Sequence, residues 1–499
     1  MIKVCWVQHA SEWPLWKQIA LALQDHDIDS MFVCISPETH EQYRRDGFES
    51  YLISEIFQDK EYLSQEQLTD LDFRYGPPGI KAVGSSDVRI DYLFGNNQKE
   101  KEQCIGRAYR YWENFFAKHA VDHIIVRETA TFATRTVDNV ARARGIPVSR
   151  MTMGPSSDSF LMNDVGEKYV WKELLDALSL APKTLTEEQR DMAREFVKKC
   201  LGKQDKRAFR FGSSSLLLCM RRLVAMRLRD TRKNQERNPV QIGAFRYTQK
   251  KIVQRLIWKY VTPWSFAYDT ARNGEKFVYF PFSLPEEAGY LVNAHYFARN
   301  QLSLIREVAL SLPSGYLLYY KGHPVSGELT YSELRQLKRI SNVRVLNPSV
   351  SSRDIIEQSQ AVVVIHGTTG WEAFLLRKPV VCLGPYVYYA YSELVYKVYH
   401  ISQLPSILWK AMKQGSQIYT THEEEWLRFI YHAMGSCGRG FLARLQPPFG
   451  FPSDQENAKQ MAEFIAQKIR RDLARAAGTI DKQSEERSEG EGPGKTSLE

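Results

Sequence analysis

From Gly315 to Tyr388 the chain alternates short, unbroken apolar runs with helical segments, and that pattern leaves few folds open. A strand over Gly315 to Lys321 runs into Gly322-His323-Pro324 and continues through Asn342 to Pro348 to an apolar strand, Ala361 to Ile365. That strand ends in His366-Gly367-Thr368-Thr369-Gly370, a helix is expected from Trp371 to Arg377, and Lys378-Pro379 leads into Val380 to Leu383. Runs of this length between helices predict parallel strands in βαβ units. Parallel sheets hold ligands at the carboxyl ends of their strands, where the loops at His323 and His366 both lie.

The second loop has the residue types for an anion. Gly367 and Gly370 allow a sharp turn and close approach, and the first amides of the following helix and the Thr368 and Thr369 hydroxyls are donors. Glu372, in the first helical turn, suits the helix dipole and could also accept from ribose hydroxyls. The plainer alternative is a Thr-Thr-Gly helix cap with no ligand. His323 follows a strand and precedes Pro324, which favours extended geometry, so its ring is available to a leaving phosphate as a donor. Its alternative is a surface histidine without a task. Together the two loops predict one site for a nucleoside mono- or diphosphate.

A second α/β domain reads from the N-terminal end. Ile2 to Val7 is a strand, Trp13 to Leu23 a helix, Ile28 to Ile35 a strand and Asp122 to Val126 another, ending at Arg127-Glu128. Thr134 to Arg144 is a helix stopped by Gly145, with Ile146-Pro-Val148 entering a further strand. No GxGxxG follows the first strand, which argues against a dinucleotide oxidoreductase.

With these elements in place, Lys321-Gly-His-Pro324, Asn347-Pro-Ser-Val-Ser-Ser352, Gly367-Thr-Thr-Gly-Trp-Glu-Ala373 and Lys378-Pro-Val-Val381 resemble the capsule polysaccharide biosynthesis family of bacterial glycosyltransferases. Members of that family transfer Kdo from a CMP-activated donor, and the pattern is also similar to bacterial sialyltransferases with a His-Pro motif and a hydroxyl-rich phosphate loop. Phe277 to Phe282 and Leu284-Pro-Glu286 extend the resemblance, with Leu284 in place of the usual glutamine and Gly322 in place of the glutamate of Lys-Glu-His. The resemblance implies an α/β, GT-B-like fold, two Rossmann-like domains facing across a cleft with helical insertions. It implies donor contacts from His323, Pro324, Ser351, Ser352, Gly367, Thr368, Thr369 and Glu372, and further donor or acceptor contacts from Glu286 and His366.

The expected domains are 1–165 for the acceptor, with a loop insertion at 44–103; 166–270 as a basic helical linker; 271–405 for the nucleotide sugar; 406–478 as C-terminal helices; and 479–499 as a disordered tail. A long helix from about Gln455 to Ala476, capped by Ser453, is expected to cross back to the first domain. The insertion, with Gly76-Pro-Pro-Gly79, reads as loops and short helices rather than sheet. From Leu201 to Tyr260 sixteen Lys or Arg face three acidic residues, and Arg221, Arg222, Arg227, Arg229, Arg232 and Lys233 interleave with leucines. That is a basic amphipathic helix suited to an anionic membrane surface or an acidic glycan, or else a helix packed on the protein. Nothing reads as a nucleic-acid module.

No apolar stretch is long enough to cross a membrane, and Met1-Ile-Lys-Val-Cys-Trp-Val7 enters a strand without a leader, so a cytoplasmic protein, peripheral at the inner membrane face, is expected. Seven scattered cysteines read as reduced thiols, and the histidines show no metal spacing, so neither metal nor cofactor is expected beyond a nucleotide-sugar donor, CMP-sugar favoured. The predicted reaction is metal-independent glycosyl transfer to a surface polysaccharide or glycolipid. Glu128 is the leading candidate for general base and Asp158 the second, with His323 serving the leaving phosphate. A polyol-phosphate transferase, a sugar-nucleotide epimerase and a non-catalytic polysaccharide-assembly protein remain alternatives.

Overall fold

The computed structural model describes residues 1–8, 13–57, 61–127, 131–165, 170–202, 268–284, 300–323, 329–384, 386–442 and 454–478, with isolated positions at 59, 220–221, 224, 249, 252–253, 256, 290–291 and 298. The chain divides into two compact units. The first comprises 1–83, 102–183 and 432–499, and the second 84–101 and 184–431.

In the first unit, β1 (Ile2–Gln8), β2 (Ile28–Cys34), β3 (Glu49–Leu52), β4 (His123–Val126), β5 (Val148–Met153), β6 (Ser159–Asp164) and β13 (Gly438–Arg439) form one sheet in the order β13-β6-β5-β4-β1-β2-β3. β1 to β5 run parallel, and β6 and β13 are antiparallel additions at one edge. β1 and β4 read as continuous apolar runs because they are central and covered on both faces. Glu49–Leu52 lies in the segment expected to be free of sheet, yet it pairs with β2 in parallel register, Met31 to Glu49 through Cys34 to Leu52. As a half-exposed edge strand of four residues, it carries no apolar run to announce it.

The helix Trp13–Gln24 covers one face, and the terminal helix Asp454–Ala476 packs beside it. Ala458, Met461, Ala462, Ile465, Ala466 and Ile469 recur at helical spacing and join Val4, Trp6, Trp16 and Phe32 in one core. Ser453, the expected cap, lies outside the described residues. The helix Phe132–Ala143 follows β4, capped by Thr131, and ends before Gly145, whose φ of +71° closes the turn.

In the second unit, β7 (Lys276–Pro281), β8 (Tyr316–Lys321), β9 (Val343–Leu346), β10 (Ala361–Val364), β11 (Val380–Cys382) and β12 (Tyr396–Lys397) form an all-parallel sheet in the order β12-β11-β10-β7-β8-β9. Read from β9, this is the Rossmann order 3-2-1-4-5-6, and β3-β2-β1-β4-β5 repeats its first five places in the first unit. On one face Val278, Phe280, Leu318, Tyr320, Val345 and Val363 pack against the helices Gln301–Leu310 and Leu404–Gln414. The chain order reverses between β7 and β10, so the switch point of the second unit lies at their carboxyl ends.

No disulfide joins the described cysteines, and Cys219 lies outside the described residues. Of the basic helix, Arg221 is helical and exposed, whereas Arg222, Arg227, Arg229, Arg232 and Lys233 lie outside the described residues, as does the tail 479–499. No helix among the described residues is long and apolar enough to cross a membrane.

Candidate functional site

The carboxyl ends of β7, β8 and β10 bring together most of the residues singled out in the second unit. The β7 end is tied to β8, with the Phe282 N–H donating to the Lys321 carbonyl at 2.9 Å. The buried Gln301 side chain then holds Ser283 through two hydrogen bonds, accepting from its N–H at 2.9 Å and donating to its carbonyl at 2.6 Å. The Ser283 hydroxyl is buried at the switch point and has no hydrogen-bond partner among the described residues. His323 stands two residues beyond β8 and His366 two beyond β10, both half-buried.

After His366 the backbone turns at Gly367, with φ +112° and ψ 170°, and the helix starts at Thr368, three residues earlier than expected. A residue with a Cβ rarely adopts this φ, so the turn requires glycine. Gly367 is the N-cap, and no side chain caps the helix. Thr368 and Thr369 thus occupy its first turn, exposed and half-buried respectively, and neither is the cap. The earlier start places the amides of Thr368 and Thr369 among the helix donors without an intrahelical acceptor.

Beneath these loops lies a polar layer. Lys321 is 2% exposed, and its ammonium donates to the Pro348 carbonyl at 3.3 Å. Burial lowers its pKa to about 8, against the opposing charge of Glu372. Burial likewise raises the Glu372 carboxyl, opposed by Arg353 and Lys321 and assisted by Glu357. Tyr279 on β7, raised by burial, is hydrogen-bonded to Ser352 and feels Glu372. With the helix starting at Thr368, Glu372 is its fifth residue and lies beyond the first turn, and of the charges acting on it Lys321 is buried while Glu357 is exposed. Tyr279 and Ser283 carry no motif signal of their own, whereas Lys321 opens the Lys-Gly-His-Pro run.

Ser351 caps the helix Ser352–Gln358, its hydroxyl accepting from the Asp354 N–H at 3.3 Å, so both serines already have internal partners. Asp158 lies in the first unit, in the turn between β5 and β6, where it accepts from the Ser156 hydroxyl at 2.9 Å. Pro324, Glu286 and Glu128 lie outside the described residues.

Residues 248–394 match the family model described as capsule polysaccharide biosynthesis protein. No curated protein matches the chain. Among solved structures, the chain is similar to Thermosulfurimonas dismutans KpsC, beta Kdo 2,7 transferase, at 12% identity and a TM-score of 0.39, over 93% of this chain and 99% of that one. It is similar to the UDP-GlcNAc 2-epimerase from Neisseria meningitidis bound to UDP-GlcNAc at 12% identity and a TM-score of 0.25, over 94% and 100% of the two chains. Anabaena Alr3699/HepE in complex with UDP-glucose matches at 11% identity and a TM-score of 0.28, over 96% and 100%. The segment matched by the capsule polysaccharide biosynthesis model spans all of the second unit's strands except β12 and contains both strand-end loops.

Proposed function

We propose that the protein is a metal-independent glycosyltransferase of capsule or lipopolysaccharide synthesis, taking a sugar from a nucleotide donor, CMP-linked Kdo or another acidic sugar being favoured, to a glycan or glycolipid acceptor. The observation that supports this reading is the carboxyl edge of the second sheet, where His323 follows β8 and the His366 to Thr369 loop follows β10, both within the segment matched by the family model. The Thr368 and Thr369 amides and hydroxyls and the His323 ring suit the donor phosphate, and Glu372 and Ser283 supply further polar groups near it.

In the inverting form of the reaction, the acceptor oxygen bonds to the anomeric carbon as the bond from that carbon to the phosphate oxygen breaks. The acceptor proton passes to a carboxylate, for which Glu128 is the first candidate and Asp158 the second, and the negative charge that develops on the nucleotide is met by His323 and the helix amides. The protein acts in the cytoplasm at the inner membrane face, with the basic segment 201–260 facing anionic lipid.

The test is acceptor-dependent release of free nucleotide from a panel of CMP- and UDP-sugars, with the glycan product identified by mass. Nucleotide release together with a lengthened glycan supports transfer. A rearranged nucleotide sugar without acceptor points to an epimerase, and absence of turnover with every donor overturns the enzymatic reading.

A further inference from the structure

Tyr389 belongs to a short 3-10 helix, Tyr388–Tyr391, that follows β11 on the carboxyl side of the second sheet. Its side chain is completely buried, yet its hydroxyl reaches back 22 residues to donate to the Gly367 carbonyl at 3.0 Å. The same carbonyl accepts the Gly370 N–H at 3.3 Å. The tyrosine ring fills the space beside Gly370, where an added methyl group would collide with the ring and its hydroxyl. Next to it, Tyr388 packs edge-on against Trp371 of the phosphate-loop helix, with ring centroids 5.4 Å apart, so the segment grips the loop and the helix together.

The geometry of one peptide unit gives this grip a consequence. In a planar trans peptide the C=O and N–H point in opposite directions. Drawing the Gly367 carbonyl inward to Tyr389 therefore turns the Thr368 N–H outward, and that amide is the first helix donor without an intrahelical partner. Gly367 has no Cβ to resist the φ of +112° this requires, and burial keeps the tyrosine hydroxyl protonated and able to donate.

We propose that Tyr389 is a positioning residue that aims the amides of the Gly367 loop at the phosphate of a bound nucleotide. The inference rests on the nucleotide-sugar reading of this site. Tyr389→Phe keeps the ring beside Gly370 and removes only the hydrogen bond. Calorimetric titration of wild type and variant with CMP, UDP and cytidine, alongside melting temperatures, separates the roles. The expected result is about a fivefold loss of affinity for whichever nucleotide the wild type binds, with nucleoside binding unchanged and the fold intact. Equal nucleotide affinity in the two proteins overturns the proposal, as does an equal loss for nucleotide and nucleoside, which a purely structural tyrosine would produce. Gly367→Ala is the second variant, since its new methyl group would stand in open space and only the backbone torsion resists it. It is expected to show the same selective loss, and unchanged nucleotide affinity in it also overturns the proposal. A wild type that binds neither CMP nor UDP instead overturns the reading of the site itself, and this inference with it.

Discussion

Lys468 on the terminal helix and Asp164 at the end of β6, 304 residues apart in sequence, meet at 2.8 Å inside the first unit. The ammonium has no solvent exposure and also contacts Asp472 at 2.6 Å and Glu173 at 3.1 Å. Asp472 in turn contacts the buried His123 at 2.9 Å and accepts from the Ser149 hydroxyl at 3.1 Å. Burial by itself would lower the lysine pKa; the surrounding carboxylates outweigh it and raise it. The last helix is thus joined to β4, β5 and β6 through charge as well as through its apolar stripe.

Removing that lysine leaves several carboxylates facing one another without their central cation. Lys468→Met is expected to destabilise the protein by about 3–5 kcal/mol, the usual cost of breaking a buried ion pair from one side. Denaturant unfolding measures this, and a loss below about 1 kcal/mol would show that the cluster does not hold the helix.

Asp138, buried in the helix Phe132–Ala143, has both carboxylate oxygens without a hydrogen-bond partner among the described residues, and Arg135 and Arg142 each approach no closer than 3.7 Å. Burial outweighs those two charges and raises its pKa from 3.8 to about 6. Because the folded value lies above the unfolded one, the folded state holds the proton more tightly. This group therefore adds stability at low pH, and the contribution is lost as pH rises from about 4 to about 6. Asp138→Asn abolishes that dependence. The stability of the variant relative to wild type is expected to improve by about 2 kcal/mol between pH 4 and pH 7, at about 1.4 kcal/mol per pKa unit. A difference that stays flat across this range rules out the raised pKa.

Because Gly367 is the helix cap, changing both Thr368 and Thr369 to Ala is expected to leave the melting temperature nearly unchanged. Each hydrogen bond from these hydroxyls to a phosphate is worth about 1.5–3 kcal/mol, so nucleotide affinity is expected to fall at least about tenfold. Calorimetry with CMP and UDP reads this directly, and intact affinity removes the threonines from the site.

His323→Ala is expected to slow turnover about a hundredfold, on the order of 3 kcal/mol in the barrier, with little change in stability. Steady-state kinetics of the folded variant provide the check. Normal turnover assigns His323 to the surface rather than to the leaving group.

The sequence alone determined most of the parallel strands, their order along the chain and the two strand-end loops, because those features depend on local apolar runs, on glycine and proline, and on the spacing of helices. Gly145 and the loop beginning at His366 could be read this way. The edge strand Glu49–Leu52 could not, since its pairing is made by backbone groups and its side chains are half-exposed. Nor could the helix start at Thr368, which follows from the torsion at Gly367. Only the tertiary structure decided that Tyr389 bonds to the Gly367 carbonyl, that Lys321 and Glu372 share a buried layer, and that Lys468 gathers carboxylates from β6 and two helices. The physical reason is that these contacts join residues far apart in the chain. Side-chain identity shows that such groups need partners when buried, and only the folded path of the backbone selects which partners they receive.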